Sequence, residues 1–400
     1  MQPIRQYVST FLATLQQTLF PGLETVLAEP LTPEHERVAA ILELVQVERE
    51  LRAPQTTPRG GRPPRDRRKL GRAYLAKAAL GLNETEDLYH RLQADRPLRR
   101  LCGWEEGETL PSLATFSRAF AEFATTRVLD QRHAELVRTY VGDTLTEHVA
   151  YDTTAIAVRE RVAKAEPATE ETAATTEKTV PSPQKRGRRP KGAEPPPPPE
   201  PPRLQRQQTQ TVAEMLAELP QGCGVGCKQN SQGNKEYWIG YKFHVAQTDD
   251  GFPIAAFTTG AQLHDSQGGI PLLRLVQARV TACYDLLDSA YDAKEIRAVS
   301  QAGGHVPIID ANRRRTESKA ERARLAKLPC SRLAVERALV ETDRRRRFAA
   351  RTAVERFNSA LKDNCGARLI RVRGIEKVHA LLMCGLLVIF ADAVLALGGG

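Results

Sequence analysis

The apolar positions along the chain repeat with two different periods. In LGRAYLAKAALGL, EDLYHRLQADRPLRRLCGW and PSLATFSRAFAEFATTRVLDQRHAELVRTY they recur three and four residues apart. That spacing lines one face of a helix. These blocks run from about Leu70 to Tyr140. Residues 1–50 read the same way, with Leu42, Leu44, Val45 and Val47 set among glutamates. Ser112, after Pro111, is placed to cap the third block. Over 147–158, EHVAYDTTAIAV, the period shortens to two and predicts a strand. From Trp238 onward YWIGYKFHVAQ and FPIAAFTTGAQ predict two strands joined by the turn TDDG. GGIPLLRLVQARV then predicts a helix, ACYDLLD a short buried strand, DAKEIRAVSQAG a helix and HVPIID a strand. Residues 315–397 read as helical, charged until a last apolar helix. A strand–helix–strand step implies parallel pairing, whereas the hairpin is antiparallel. The expected fold is an α/β mixed sheet with helices on its faces, preceded by an all-α N-terminal domain.

Two tracts break these periods. Residues 53–69, APQTTPRGGRPPRDRRK, predict a basic loop. Residues 161–235 predict a mostly disordered, Pro-rich basic insertion, too poor in apolar residues to offset ordering entropy. It holds the basic run 185–191 and five prolines at 195–199. Its RGRRPK is similar to a minor-groove AT-hook element, or is a solvated linker. The chain therefore divides into a helical segment 1–52, the loop 53–69, a helical domain 70–146, an α/β domain made of 147–160 and 236–397, and the insertion 161–235.

Charge adds a partner. Lys and Arg number 58 against 48 Asp and Glu, a net +10, which favours an anionic partner such as nucleic acid. The helix over 112–124, with Thr115, Ser117 and Arg118 near its start, fits the second helix of a helix-turn-helix or the polar face of an ordinary bundle. The seven cysteines are scattered and odd in number, pointing to a reducing cytosol rather than a disulfide scaffold. Cys223 and Cys227 have no second pair nearby to complete a tetrahedral zinc site. Gln16 and Gln17 interrupt the first apolar stretch. The run Ala380–Ala391 is short for a bilayer, which needs ~20 residues, so a buried helix is expected, with no membrane partner and a cytoplasmic location.

Three acids stand out. Asp152 follows Val149, Ala150 and Tyr151 on the first strand. Asp288 follows Leu286 and Leu287 at a strand's C-terminal end, where open α/β sheets place ligands. Glu355 lies in RRFAARTAVERFNSALKD, where Phe348, Arg351, Glu355 and Lys362 share one helical stripe beside Val354, Phe357 and Leu361. Spacing alone also fits a plain amphipathic helix whose Arg351–Glu355 pair is worth ~0.2–0.5 kcal/mol. Asp285, inside a strand, and Asp292, in a helix's first turn, rank below Asp288. Asp265 reads as a helix N-cap, with an acid supporting the site as the alternative. Trp238 and Tyr241 read as core, with base stacking as the alternative.

Taken in order, YDTTAI (151–156), GYKFHV (240–245), HDS (264–266), DLLDSAYDA (285–293), HVPIID (305–310) and RTAVERFNSALKD (351–363) make the chain resemble the DDE-type transposases of bacterial insertion sequences, over about residues 60–397. The resemblance implies an RNase H-like catalytic domain whose acids Asp152, Asp288 and Glu355 hold two Mg²⁺ ions, or Mn²⁺. It implies hydrolysis at the element's ends and attack of the freed 3′-OH on target DNA. Arg351 and Lys362 would bind phosphates, and Arg118 would contact DNA. One branch of the family carries a Tyr-Arg-Glu-Lys signature, and Phe348 stands where its Tyr is expected, without the hydroxyl. The implied partners are double-stranded DNA (terminal inverted repeats and target) and a second copy of the chain, a homodimer on DNA. Two alternatives are a transposase-derived DNA-binding protein without catalysis and an RNase H-like nuclease without strand transfer.

Overall fold

The computed structural model describes residues 31–51, 65–142, 144–162, 201–229, 232–310 and 342–398. The expectations for residues 1–30, for most of the basic loop, for the AT-hook-like run, for the prolines and for a helix over 315–341 fall outside these residues.

Six helices open the described chain: α1 (Pro33–Val45), α2 (Arg67–Ala79), α3 (Thr85–Ala94), α4 (Arg96–Leu101), α5 (Leu113–Thr126) and α6 (Val128–Tyr140). Local chemistry fixes their starts. The Thr32 hydroxyl accepts from the His35 N–H, with Pro33 in the first turn of α1, and Asp66 accepts from the Arg68 N–H at 2.9 Å. Each satisfies a donor that a helix start leaves unpaired. The basic loop therefore ends at Asp66, and Arg67–Lys69 are helical, a correction to the expected boundary. Ser112 does sit at the start of α5, but its hydroxyl faces that of Thr115 at 3.2 Å rather than a backbone N–H.

The sheet follows. Its strands are β1 (Thr146–Ala157), β2 (Gly224–Gln229), β3 (Lys235–Thr248), β4 (Pro253–Gly260), β5 (Ala282–Leu287) and β6 (Val306–Ile309). Two short helices, α7 (Arg203–Gln207) and α8 (Val212–Glu218), precede β2. Helix α9 (Ser266–Gln277) joins β4 to β5, and α10 (Lys294–Ala302) joins β5 to β6. β1 pairs with β3 antiparallel and with β5 parallel; β3 pairs with β4 antiparallel, and β5 with β6 parallel. The lateral order is β4-β3-β1-β5-β6, a mixed sheet as expected. β2 pairs only with the half of β3 that runs past the end of β1, Lys235 to Gly240.

Residues 201–229 correct the expected disorder of the insertion. The side chain of Gln207 is buried and its Nε2 donates to the Gln267 carbonyl at 3.0 Å, tying α7 to α9. Met215 anchors α8, fully buried. A few docking residues suffice here because α8 carries its own capping box, Thr211 with Glu214. That T-x-x-E pattern was readable in the sequence.

Beyond β6 come a helical turn over 342–348, a 3-10 turn (Ala349–Arg351), α11 (Thr352–Asp363) and α12 (Ile375–Gly398). Helix α12 is packed against α1, α2, α5, α6, α11 and β4. Val378, Leu382, Leu386, Leu387, Val388, Phe390, Ala391 and Val394 are all fully buried. Each large apolar side chain so buried contributes ~1.5–3 kcal/mol. Its one buried imidazole is satisfied on both sides, His379 pairing with Asp130 at 2.8 Å and with Thr258 at 2.9 Å. Ile375–Leu397 is long and apolar enough to cross a membrane by composition; in this fold it is the core shared by the N-terminal helices and the sheet.

Candidate active site

The site is built where β1 and β5 run side by side. They pair in parallel with Ala150 opposite Leu286. Two residues further on, the same register sets Asp152 beside Asp288 on one face of the sheet, because strand side chains alternate with period two. Asp288 is the first residue past β5, and its carboxylate accepts from the Ala290 N–H at 2.9 Å. Helix α11 lies over this face and supplies a row of side chains one and two turns apart. The Arg351 guanidinium approaches Asp152 to 3.9 Å and rests over the Phe348 ring, 5.6 Å from its centroid. Asn358 donates from Nδ2 to Asp152 Oδ2 at 2.8 Å, and Lys362 donates to the Thr154 hydroxyl at 2.5 Å.

Electrostatics mark the pair of aspartates. Burial, then the negative charges of Asp288 and Asp265, push Asp152 up to about 6, against the lowering effect of the Thr153 N–H and Arg351. Asp288 is raised as well, again by burial first, with Asp265 adding to it while the Ala290 N–H and Arg351 oppose it. Carboxylates raised by burial and by neighbouring acids are short of positive charge. The donor set is all oxygen, which suits a hard divalent cation such as Mg²⁺. A second observation fits the same group: Asn358 Oδ1 is buried and has no hydrogen-bond partner, although its Nδ2 is on Asp152.

The structure brings Asp152, Asp288, Arg351 and Lys362 to one region, but it does not bring the Glu355 carboxylate to the aspartates. Glu355 is about half exposed and is held by Arg351 at 2.5 Å. The guanidinium thus stands between Asp152 and Glu355, where three acids were expected to converge directly. Arg118 is exposed on α5, its Nη2 3.4 Å from the Thr115 hydroxyl. Phe348 packs at the edge of the core, beneath Arg351.

Two neighbours, Asn358 and Lys242, escaped the sequence reading, and Asp265 takes the alternative given for it, an acid supporting the site. Asn358 is one turn past Glu355 and falls on the same stripe, a signal that spacing could have given. Asp265 is not a side-chain cap. It stands at the start of α9, makes no capping bond, and instead takes the Lys242 ammonium at 2.8 Å. Lys242 is buried in β3 and also bonds the Leu263 carbonyl at 2.7 Å. A lysine inside an apolar strand, GYKFHV, was the available clue. Behind the site a neutral relay, Thr153–His244–Thr259 with Tyr291, fills the layer under α9. Burial, then the nearby Lys242 charge, lowers His244 to about 3, so it stays uncharged. Gly268 on α9 lets the helix approach, since a Cβ there would come within 2.6 Å of the His244 ring.

Asp285, set below Asp288 from the sequence, is fully buried and satisfied by Tyr151 (2.7 Å), Ser300 (2.5 Å) and His305 (3.0 Å). It belongs to the core. Asp292 pairs with Arg297 at 2.9 Å. Trp238 covers Gly226 and Tyr241 is buried, so both aromatics are packed as expected. Among the described residues, one trio of ligating side chains lies within 4.8 Å, Glu147, His148 and Asp249. It sits at the start of β1, away from Asp152, and Arg347 already bonds Glu147 at 2.8 Å.

Comparison with known proteins divides the chain in two. Residues 219–391 match the family described as Transposase DDE domain, and residues 27–122 match the family described as Transposase domain (DUF772). Asp288 and Glu355 fall in the first match, whereas β1, with Asp152, lies between the two. No curated protein and no solved structure matches the chain.

Proposed function

Because the chain belongs to the DDE-type transposases of insertion sequences, we propose that it cleaves DNA at the ends of its own element and joins the freed 3′-OH ends to target DNA. The observation that carries this reading is the nearness of Asp152 to Asp288, each two residues past the last β1–β5 pair, under a helix that sets Arg351 and Asn358 on Asp152. The sheet order, with three antiparallel strands followed by two parallel to the first, supports an RNase H-like catalytic domain. Asp152, Asp288 and Glu355 are assigned as its acids and as the ligands of divalent ions, Mg²⁺ or Mn²⁺.

Bound divalent ions would supply activation of the attacking oxygen and charge stabilisation of the leaving 3′ oxygen. The chain's own residues do the rest. Asn358 fixes the Asp152 carboxylate so that its second oxygen faces the site. Arg351 exchanges its two carboxylate partners for a phosphate, which its fork can hold with two hydrogen bonds. Glu355, released from Arg351 and already half exposed, turns toward Asp152. Lys362 holds a neighbouring phosphate as a point charge. The N-terminal helices, with Arg118 on an exposed face, bind the terminal inverted repeats, and a homodimer pairs two ends.

The test is Mg²⁺-dependent nicking of a duplex carrying the genomic sequence that flanks the gene. Asp152→Asn and Asp288→Asn should each retain DNA binding and lose nicking; wild-type nicking by either variant sinks the assignment. One observation favours a second reading, a DNA-binding derivative that no longer cuts: Glu355 faces solvent and Arg351. Absence of nicking by the unaltered protein, with binding intact, would select it.

A further inference from the structure

The hairpin made by β2 and the first half of β3 leaves the sheet as a two-stranded ribbon. It projects past the C-terminal end of β1, the same direction in which Asp288 leaves β5. Gly240 marks the branch point: it has φ +153°, and a Cβ there would lie 2.0 Å from the Ile156 carbonyl. Only glycine lets β3 continue past β1 at this spacing.

The ribbon's two faces differ. Val225 pairs with Ile239 and Cys227 with Tyr237, so these four side chains share one face. All four are exposed: Val225 is 49% exposed, Ile239 44% and Tyr237 66%, and Cys227 is exposed too. The opposite face is packed or charged. Trp238 lies across Gly226, with the Lys242 ammonium 5.9 Å from its ring. Lys228 pairs with Glu236 there, and burial first, then the charges of Lys228 and of Arg368 beyond α11, lower Lys362. Three cations stand near the base of the ribbon beside the candidate active site, Lys228 paired with Glu236, Arg368 paired with Asp363, and Lys362 on the Thr154 hydroxyl.

We infer that the β2–β3 ribbon is a DNA-contacting arm whose Tyr237–Ile239 face lies against the duplex next to the cleaved bond. The inference rests on the transposase reading and names the protein surface that holds its substrate. A two-stranded ribbon fits the major groove, and an exposed aromatic offers a stacking surface to any base. The charges choose the occupant. A second copy of the chain docked face to face here would bring Lys235, which shares the face of Tyr237 and Ile239, toward its own counterpart, whereas a phosphate backbone neutralises it.

The test uses the full-length protein and the flanking-sequence duplex described above. Tyr237→Ala and the double variant Tyr237→Ser/Ile239→Ser alter exposed positions, and circular dichroism checks their folding. By fluorescence anisotropy the double variant should bind that duplex about tenfold or more weakly, from the loss of a stacked side chain. In the otherwise unaltered chain, Cys227 should form a disulfide with a thiol-tethered base near the cleavage position and not with one placed twenty base pairs away. Unchanged affinity, or cross-linking that ignores position, overturns the inference while leaving the nicking result intact. A ribbon variant that turns a dimer into a monomer in the absence of DNA also overturns it, by naming a second copy as the occupant. Nicking that survives Asp152→Asn would sink the catalytic reading instead, and would leave the cross-link in place.

Discussion

Asn358 on α11 donates a hydrogen bond to Asp152 on β1 across 2.8 Å, joining residues 206 positions apart in the chain. Asn358 sets the orientation of a carboxylate that is otherwise raised by burial and like charge. Partners of this kind typically carry about 10–100-fold in metal affinity or activity. Asn358→Ala should therefore weaken Mn²⁺ binding by about that factor, measured by titration calorimetry, with its melting transition still cooperative. Unchanged Mn²⁺ affinity in a folded Asn358→Ala protein would remove the positioning role.

Asp152 gives the metal-free protein a specific response to pH. Its folded pKa of about 6 lies above the ordinary 3.8. Below 3.8 both folded and unfolded chains hold the proton and nothing is lost. Between 3.8 and about 6 the unfolded chain releases it more readily, and stability falls as pH rises. Above 6 the penalty is complete, roughly 3 kcal/mol at ~1.4 kcal/mol per pH unit. Asp152→Asn keeps an acceptor for Asn358 and removes the charge. In chelator it should melt higher than the unaltered protein at pH 8 and equally at pH 4. A variant that melts lower at pH 8 would show that the carboxylate is stabilising instead.

Glu355 separates stability from activity. An exposed ion pair such as Arg351–Glu355 is worth about 0–1 kcal/mol, so Glu355→Gln should leave denaturant midpoints within a few tenths molar of the unaltered protein. If Glu355 serves as the third acid, the same variant should abolish Mg²⁺-dependent nicking. Full nicking by Glu355→Gln would take this residue out of the site and leave the aspartates alone.

Asp285 predicts the reverse pattern. Its carboxylate is enclosed by Tyr151, Ser300 and His305. Losing one partner of a buried, hydrogen-bonded charge costs about 3–5 kcal/mol. Asp285→Ala should accordingly lower the melting temperature strongly at any metal concentration. The bond to Asp285 also raises His305, against the opposing effect of burial. That contribution is complete below 6.5 and disappears as pH rises through the raised value. Thermal melts of the unaltered protein from pH 5 to 9 should show a decline that Asp285→Ala lacks. A decline of equal size in both proteins would assign it elsewhere.

Much of this architecture was legible in the sequence because it is local. Alternation in EHVAYDTTAIAV and the turn TDDG announced β1 and the β3–β4 hairpin, and Leu286–Leu287 before Asp288 announced the strand end. What was missed depends on contacts between distant segments. Gln207 and Met215 order α7 and α8 by docking on α9, which a composition dominated by prolines and charges conceals. Asp265 looks like a cap until Lys242, in another strand, is placed beside it. Glu355 shares a stripe with Arg351, but the stripe does not say which way a half-exposed carboxylate turns when a guanidinium lies closer than the aspartates. Tyr237 and Trp238 are adjacent letters of one strand, and only its pairing with β2 shows that the second is covered and the first is bare.

The last helix has a bearing on how the protein is made. The apolar faces of α1, α2, α5 and α6 close on α12, whose residues are translated more than two hundred positions after α6. At ~5–20 residues per second, the nascent helices wait for roughly tens of seconds with that groove open. A ribosome stalled anywhere before Ile375 therefore holds a helical bundle with no centre. Such a chain is a substrate for chaperones and proteases, so truncated products should be cleared rather than accumulate.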